Sequence, residues 1–220
     1  MKVLQYLGDF YFLHYPPYII MQTTPSNPLL QAKPDIKYIL ASKSPRRQYL
    51  LKELGLEFEI HTKEVDESFP ENLKREEIPL YLCNKKAEAF AGDLNNKTIL
   101  ITADTVVWID DTVLNKPENY EEAVKMLRML SGKIHEVYTG VCIKSVAKAK
   151  TFYAVTKVYF KNLTEEEIHF YISTYKPYDK AGAYGAQEWI GYTGIEKIEG
   201  SYFNVMGLPV KELYEELIKF

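Results

Sequence analysis

One junction constrains the fold of this chain more than any other: a short apolar segment passes directly into a helix start rich in serine and arginine. The segment Tyr38-Ile39-Leu40-Ala41 is typical of a buried strand, and Ser42-Lys43-Ser44-Pro45-Arg46-Arg47 follows at once. Ser44 is a favourable N-cap and Pro45 suits the first helical position, so the pattern predicts a helix that stops at Gly55. A strand that opens straight into a helix favours an α/β fold.

The same junction has the parts of a phosphate site. Free backbone N–H groups and the positive end of a helix dipole meet the guanidinium groups of Arg46 and Arg47. We expect Arg46 to project from the mouth of the site and Arg47 to lean toward the apolar face of the helix. The alternative is an ordinary capped helix whose arginines pair with surface acids, since Ser-Pro helix starts are common.

Strands and helices alternate along the rest of the chain. Further strands are predicted at Phe58–Thr62, Thr98–Thr102, Val137–Ile143 and Phe152–Phe160. The second of these strands ends at Ala103-Asp104-Thr105, and Val106–Ile109 continues extended toward an Asp110-Asp111 turn. Periodicity and capping signals predict helices at Pro79–Ala91, at Asn119–Ser131, after Thr164 and after Pro209. The last two strands have antiparallel alternation. We therefore predict an α/β fold in which helices flank a mixed twisted sheet, in a single domain over residues 36–220.

Composition excludes several classes of function. The 220 residues carry a net charge of only −3, which disfavours a general nucleic-acid or membrane-surface binder. The two cysteines, Cys83 and Cys142, are far apart and form no C-x-x-C pair, so neither a disulfide framework nor a zinc site is indicated. The four histidines have no ligand spacing. We expect a soluble protein of the reducing cytosol that binds neither nucleic acid nor membrane.

The first 35 residues differ from the rest, because they are rich in aromatic residues and proline and lack periodicity. The most apolar part, Tyr11–Ile20, contains His14, Pro16 and Pro17 and is shorter than the ~20 apolar residues that a membrane span needs. The stretch also lacks the features of a signal peptide. We expect residues 1–35 to be a loosely ordered extension and Met21 to be a candidate for the true start.

Two acidic positions favour metal chemistry. Asp104 follows an apolar strand, where open α/β sheets place catalytic groups, and Glu64-Val65-Asp66-Glu67 offers further carboxylates in a loop after another predicted strand. Paired carboxylates suit Mg²⁺, which binds oxygen ligands and keeps waters for substrate phosphates. The alternative for the acidic loop is a solvated surface segment.

Three lysines and one glutamine complete the candidate set. Lys86 lies beside the apolar stripe of its predicted helix, whereas Lys116 and Lys180 lie in loops, where isolated lysines usually face solvent. Gln187 follows a glycine-rich segment that lets backbone approach a ligand, and its amide offers one donor group and one acceptor to a base edge.

Taken in order, these segments resemble the Maf family of nucleotide pyrophosphatases over Tyr38–Phe220. The resemblance is carried by six motifs: Ser-x-Ser-Pro-Arg-Arg at residues 42–47, Asp66-Glu67, Ala103-Asp104-Thr105-Val106, Lys116-Pro117, Asp179-Lys180-Ala181-Gly182-Ala183-Tyr184-Gly185, and Gly200-Ser201-Tyr202 through Pro209.

The resemblance implies a cytoplasmic hydrolase that converts a nucleoside triphosphate to the monophosphate and pyrophosphate with a divalent metal ion, Mg²⁺, Mn²⁺ or Co²⁺. It implies two lobes around a deep cleft, as in inosine triphosphatases, and family members are often homodimers. By motif, Asp104 is the proton acceptor and a metal ligand, and Glu67 is the second metal ligand. The predicted phosphate and substrate ligands are Ser42, Arg46, Arg47, Lys86, Thr105, Lys116, Lys180 and Gln187.

Arg46, Thr105 and Gln187 also resemble the family branch that acts on dTTP and UTP. Glu188-Trp189 departs from the family pattern, where a glycine is more typical after Gln187, and this departure bears on the base pocket. The alternatives are a pyrophosphatase for non-canonical purine triphosphates or 7-methyl-GTP, and a nucleotide-sensing regulator of cell division. A pure sensor would need the cations but neither Asp104 nor Glu67.

Overall fold

A seven-stranded sheet organises the chain in the computed structural model, which describes residues 27–29, 33 and 35–220. The strands lie in the order β2-β1-β3-β5-β6-β7, and β4 pairs with β3 beyond the end of β1. Their bounds are β1 Lys37–Leu40, β2 Phe58–Ile60, β3 Thr98–Ile109, β4 Thr112–Leu114, β5 Ile134–Lys144, β6 Ala149–Phe160 and β7 Ile195–Glu199.

The sheet is mixed, as the sequence predicts. Strands β1, β2 and β3 are parallel, whereas β4, β5, β6 and β7 join by antiparallel pairing. The flanking α-helices are α1 Pro45–Glu53, α2 Glu77–Glu88, α3 Tyr120–Leu130, α4 Glu165–Tyr175, α5 Trp189–Gly194, α6 Tyr202–Met206 and α7 Val210–Lys219. The α/β fold with a mixed sheet is therefore confirmed.

Local sequence signals account for several of these bounds. The side chains of Ser44, Asn119 and Thr164 each accept a hydrogen bond from the backbone three residues ahead, and Thr164 with Glu167 forms a capping box. Asp110 and Asp111 have φ of 47° and 55°, the left-handed values of a two-residue hairpin turn between β3 and β4. The predicted caps and this turn are confirmed.

The predicted position of Asp104 is wrong in one respect. It does not end a strand, because β3 runs unbroken from Thr98 to Ile109 and Asp104 lies in its middle. However, β1 pairs only with the first four residues of β3, and β4 pairs only with the last three. Along this edge, residues 102–106 of β3 are therefore left without a neighbouring strand, and Asp104 is at the centre of that gap.

The two faces of β3 carry different helices. Ile99, Ile101 and Ala103 pack with α1 and α7, while Leu100 packs against α2 on the opposite face. Since side chains alternate along a strand, Asp104 is on the α2 face and Thr105 on the α1 face. Side chains from both faces of the sheet, Asp104 and Thr105, can therefore reach the same opening at the gap.

Two large clusters form most of the core. One surrounds α3 and α4 and includes Leu127 and Tyr171, and the other surrounds β1, α1 and α7 and includes Leu51 and Leu213. Strands β3 and β5 contribute to both clusters. The two lobes implied by the resemblance correspond to these clusters, which meet on a shared sheet.

Several elements differ from the sequence predictions. Helix α2 begins at Glu77 and ends at Glu88, before a 3₁₀ turn at Ala91–Asp93, rather than running over Pro79–Ala91. Strand β7 and helix α5 lie in the glycine-rich stretch, residues 180–200, and α6 follows it, whereas the sequence predicts no strand or helix at these three places. No helix in the described ranges is both long and apolar enough to cross a bilayer.

The predicted extension, residues 1–35, lies outside the described residues except at 27–29, 33 and 35, and the candidate start at Met21 is also outside them. Among those described, Leu29 is fully buried in the α1 and α7 cluster. Asn27 donates from Nδ2 to the carbonyl of Leu54 at 2.7 Å, at the end of α1.

Candidate active site

A cavity of about 940 Å³ opens at the gap along β3. It is formed by the segments that follow β1, β2 and β4, by the middle of β3, and by parts of α2, the glycine-rich stretch and α6. All ten residues singled out from the sequence line it: Ser42, Arg46, Arg47, Glu67, Lys86, Asp104, Thr105, Lys116, Lys180 and Gln187. Residues spread over 146 positions of sequence, from 42 to 187, therefore share one cavity, and their individual roles stay predictions.

Four of these residues form a chain of opposite charges, here called the carboxylate cluster. Lys86 of α2 lies between two acids, with Nζ 2.5 Å from Asp104 Oδ1 and 2.8 Å from Glu67 Oε1. Lys116 Nζ lies 3.1 Å from Glu67 Oε2. The side chains of Lys86 and Asp104 are 15% and 11% exposed, so their charges interact in a poorly hydrated setting.

The cluster holds Glu67 in its ionised form. Partial burial is the largest single influence and would raise its pKa, but hydrogen bonds and charge from Lys86 and Lys116 outweigh it and lower the pKa to about 2. The carboxylate therefore stays charged at any pH above about 3. Asp66, its neighbour, instead accepts from Ser68 and pairs with Lys85 at 3.0 Å.

The donor set fits a hard divalent cation. Asp104 and Glu67 already share one cation, the Lys86 ammonium, and carboxylate oxygens are the ligands that Mg²⁺ prefers. Within the described ranges no three His, Cys, Asp or Glu residues form a metal-binding group. Two carboxylates with water and substrate phosphates are a common ligand set for Mg²⁺ in phosphoryl-transfer enzymes.

The start of α1 faces the cavity as the sequence predicts. Ser44 caps the helix by accepting from the backbone N–H of Arg47, and Ser42 Oγ accepts from the backbone N–H of Ser44 at 3.2 Å. Arg46 is at the mouth, where Nη1 lies 2.7 Å from Asp179 Oδ2. Because its partner is half exposed, this ion pair leaves Arg46 able to turn toward an anion.

Arg47 is turned inward and most of its fork is occupied. It donates from Nε to the carbonyl of Gly207 at 2.8 Å, from Nη1 to the carbonyl of Ala103 at 2.9 Å, and from Nη2 to Thr105 Oγ1 at 2.9 Å. Ala103 lies in the gap, so Arg47 supplies a partner that a neighbouring strand would otherwise provide. Arg47 thus joins α1, β3 and the end of α6 beneath the cavity.

Thr105 belongs to a hydrogen-bonded chain that sequence reasoning missed. Its Oγ1 lies 3.0 Å from Thr139 Oγ1 on β5, and Thr139 Oγ1 donates to the carbonyl of Asn204 at 3.2 Å. Asn204 is fully buried and donates from Nδ2 to the carbonyl of Val137. The register of β5 against β3 brings these groups together, and no local signal in the sequence reports it.

The glycine-rich stretch forms the far wall. Gln187 lines the cavity, and its Oε1 is buried without a hydrogen-bond partner among the described residues. Tyr184, also in the wall, approaches the buried His135 at 2.8 Å between the hydroxyl and Nε2. A buried, unpaired amide oxygen is costly, so Gln187 Oε1 is available to accept from any donor that enters the cavity, whether water or ligand.

Lys180 is held between two acids. Its Nζ lies 2.7 Å from Asp179 Oδ1 and 3.0 Å from Glu188 Oε1, and its side chain is only 8% exposed. Asp179 and Glu188 were not among the predicted site residues. The position of Asp179 next to Lys180 is a signal that could have identified it, whereas the contact with Glu188 depends on the fold of residues 183–188.

Comparison with known proteins gives three results. The family model described as "Maf-like protein" matches residues 37–220. The "dTTP/UTP pyrophosphatase" of Phocaeicola vulgatus is 53% identical over 184 residues, which cover 83% of this chain and 95% of that protein. The protein of the same name from Bacteroides thetaiotaomicron is 52% identical over a region that covers 82% of this chain and 94% of that protein. The structure of the Staphylococcus aureus Ham1 protein aligns with a TM-score of 0.45 at 15% identity, over 82% of this chain and 99% of that one.

Proposed function

Because this chain belongs to the Maf family, we propose that it is a nucleoside triphosphate pyrophosphatase that hydrolyses dTTP and UTP to the monophosphate and pyrophosphate. The proposal rests on one observation: the carboxylate cluster and the cationic start of α1 line the same cavity. The first group suits activation of water and the second suits binding of a polyanion.

The triphosphate would lie between α1 and the carboxylate cluster. The free N–H groups at the start of α1 and the Arg46 guanidinium supply positive charge at α1, and Lys86 and Lys116 supply it from the carboxylate cluster. These groups hold the reacting phosphorus and bear the charge that develops on the leaving pyrophosphate. Positioning and charge stabilisation provide most of the catalysis in phosphoryl transfer.

Asp104 is proposed to be the general base. A water oxygen attacks the α-phosphorus, the bond from that phosphorus to the α,β-bridging oxygen breaks, and pyrophosphate leaves while Asp104 takes the proton of the water. Lys86 orients the Asp104 carboxylate through its contact at Oδ1. A divalent cation held by Glu67 and Asp104 would neutralise phosphate charge when bound.

Gln187 is proposed to read the base. Uracil and thymine present an N–H donor between two carbonyl oxygens, which matches an amide with a free acceptor and an adjacent donor. The unpaired Oε1 of Gln187 would accept from that N–H. Cytosine has an acceptor at this position, so CTP would leave two acceptors facing each other and should be a poor substrate.

The test is pyrophosphate release from dTTP, UTP, CTP, ITP and 7-methyl-GTP with Mg²⁺, Mn²⁺ or Co²⁺. Asp104→Asn preserves shape but removes the base, so we expect turnover to fall by about 10²- to 10⁴-fold. Asp110→Asn is the matched control: Asp110 is exposed in the β3–β4 turn, and Asn tolerates the same left-handed backbone. Full turnover by Asp104→Asn, or preferred hydrolysis of ITP or 7-methyl-GTP by the unaltered protein, would contradict the proposal.

A homodimer and a cytoplasmic location are proposed from the family resemblance alone. Light scattering on the purified protein tests the first, and fractionation of the source cells tests the second. A nucleotide-sensing role without turnover is disfavoured by Asp104 and Glu67, because binding a polyanion alone gives no reason to place two carboxylates in the cavity.

A further inference from the structure

Two neighbouring residues, Glu188 and Trp189, attach the wall of the cavity to α4. Glu188 Oε2 accepts a hydrogen bond from the hydroxyl of Tyr171, a fully buried residue of α4. The rings of Trp189 and Phe170 lie edge to face with centroids 4.9 Å apart. Adjacent residues of the wall thus contact adjacent residues of one helix.

The hydroxyl of Tyr171 also reaches the wall directly. It accepts from the backbone N–H of Gly185 at 3.0 Å, while its own proton goes to Glu188. The segment from 185 to 188 is therefore fixed at both ends by one tyrosine oxygen. Gln187, whose Oε1 has no hydrogen-bond partner among the described residues, lies between these two anchors.

The other oxygen of Glu188 restrains a cation. Oε1 lies 3.0 Å from Lys180 Nζ, which also contacts Asp179, and Asp179 contacts Arg46 at the start of α1. A chain of alternating charges therefore runs from Arg46 to Glu188. Glu188 itself does not line the cavity, although Lys180 and Gln187 do.

We propose that Glu188 is a positioning residue that sets the base selectivity of this site, by holding Gln187 in register through Tyr171 and by restraining Lys180. The inference rests on the proposed function, because it concerns how the same cavity recognises its nucleotide. A residue without a side-chain acceptor at 188 could supply neither contact. The chain thus carries an acidic anchor directly beside Gln187.

Removing the carboxylate should loosen recognition rather than chemistry. Without Glu188, the Tyr171 hydroxyl loses its acceptor, the buried Lys180 ammonium keeps one acidic partner, and the segment that carries Gln187 loses its side-chain anchor at 188 while keeping its backbone bonds and the contact of Gly185 with Tyr171. Ordering that segment must then accompany binding, which weakens affinity. Asp104 and Lys86 belong to other elements and keep their contact.

The experiment measures calorimetric binding of UMP and CMP together with kcat and KM for UTP and CTP. For Glu188→Ala we expect UMP binding to weaken about tenfold, which is the loss of roughly one hydrogen bond to a charged group. The UTP-to-CTP ratio of kcat/KM should fall by a similar factor through KM, with kcat for UTP within about threefold. Glu188→Gln, whose single amide oxygen can accept from Tyr171 or from Lys180 in place of one carboxylate oxygen, should recover part of the loss. Glu215→Ala, which removes an exposed acid paired with Lys211 on α7, is the matched control and should change nothing.

Two results would overturn the proposal. One is a folded Glu188→Ala protein with unchanged UMP binding and an unchanged UTP-to-CTP ratio, and the other is a large loss of kcat with KM unaffected. If Glu188→Ala does not fold, Tyr171→Phe removes the shared oxygen within the same shape and must weaken UMP binding in the same direction. The unaltered protein tests the proposed function separately: absence of pyrophosphate release would reject that function, while UMP binding still reports on Glu188.

Discussion

Replacing Gly140 by alanine should damage both stability and activity, because Gly140 is where α2 approaches the sheet. A Cβ at this position would lie 2.5 Å from the carbonyl carbon and oxygen of Pro79 and 2.7 Å from the backbone nitrogen of Leu80. Both neighbours are helix backbone, which cannot swing aside as a side chain can. Restoring a contact of about 3.5 Å requires α2 to move by about 1 Å.

The stability effect follows from this overlap. Overpacking of a well-filled interior costs about 1–3 kcal/mol, and each kcal/mol lowers Tm by about 2–4 °C in a chain of this size. We therefore expect Gly140→Ala to lower Tm by roughly 2–12 °C in a thermal melt. Gly92→Ala is the matched control, since its Cβ would meet nothing within 4 Å and the position lies just beyond the same helix.

The activity effect follows from the register of the sheet. Gly140 pairs directly with Asp104, and α2 carries Lys86, which holds that carboxylate. A displacement of about 1 Å in a catalytic arrangement can lower the rate by about 10²-fold, so kcat/KM for dTTP should fall by about that factor. A Gly140→Ala protein that melts within 1 °C of the unaltered one and retains full pyrophosphate release would refute the reasoning.

Two further predictions concern buried polar groups. Burial lowers the pKa of His135 to about 3, so between pH 6.5 and 3 the unfolded chain binds a proton that the folded chain does not. The free energy of unfolding, measured by urea titration, should therefore fall as the pH is lowered from 7.5 to 5. We expect this fall to be about 2 kcal/mol larger in the unaltered protein than in His135→Gln. Equal falls in the two proteins would show that His135 is protonated in the folded state. Arg47→Lys cannot reproduce the forked donation to three acceptors, two on β3 and one at the end of α6, and we expect denaturant titration to show destabilisation by about 1–3 kcal/mol. Arg128→Lys, at an exposed pair with Glu165, is its control, and an equally small change in both proteins would count against the role of Arg47.

Local signals in the sequence were enough to locate the parts of the site whose causes are local. The Ser44 cap with Pro45 predicts the start of α1, and the apolar run before Asp104 predicts that this residue is on a buried strand. The motif order then adds the family, and with it the set of residues that proved to share one cavity.

The remainder depends on contacts between segments far apart in the chain. Strand β3 continues through Asp104 because it pairs with β5. Tyr171 contacts Gly185 because α4 packs against the glycine-rich stretch. The spacing of residues within either segment carries no information about such pairings. For the same reason the sequence could report Glu188 as a departure from pattern but could not assign its partners.

The unbroken course of β3 and β5 limits how this molecule can move. Both strands contribute to the two large core clusters and line the cavity, so the halves share one continuous floor. Closure by rotation of lobes requires a few backbone positions that absorb large changes in φ and ψ, and a paired strand offers none. We therefore expect enclosure of a bound nucleotide to come from loops that line the cavity, such as residues 63–67, which carry Glu67. Loop motion of this kind is faster than rotation of domains.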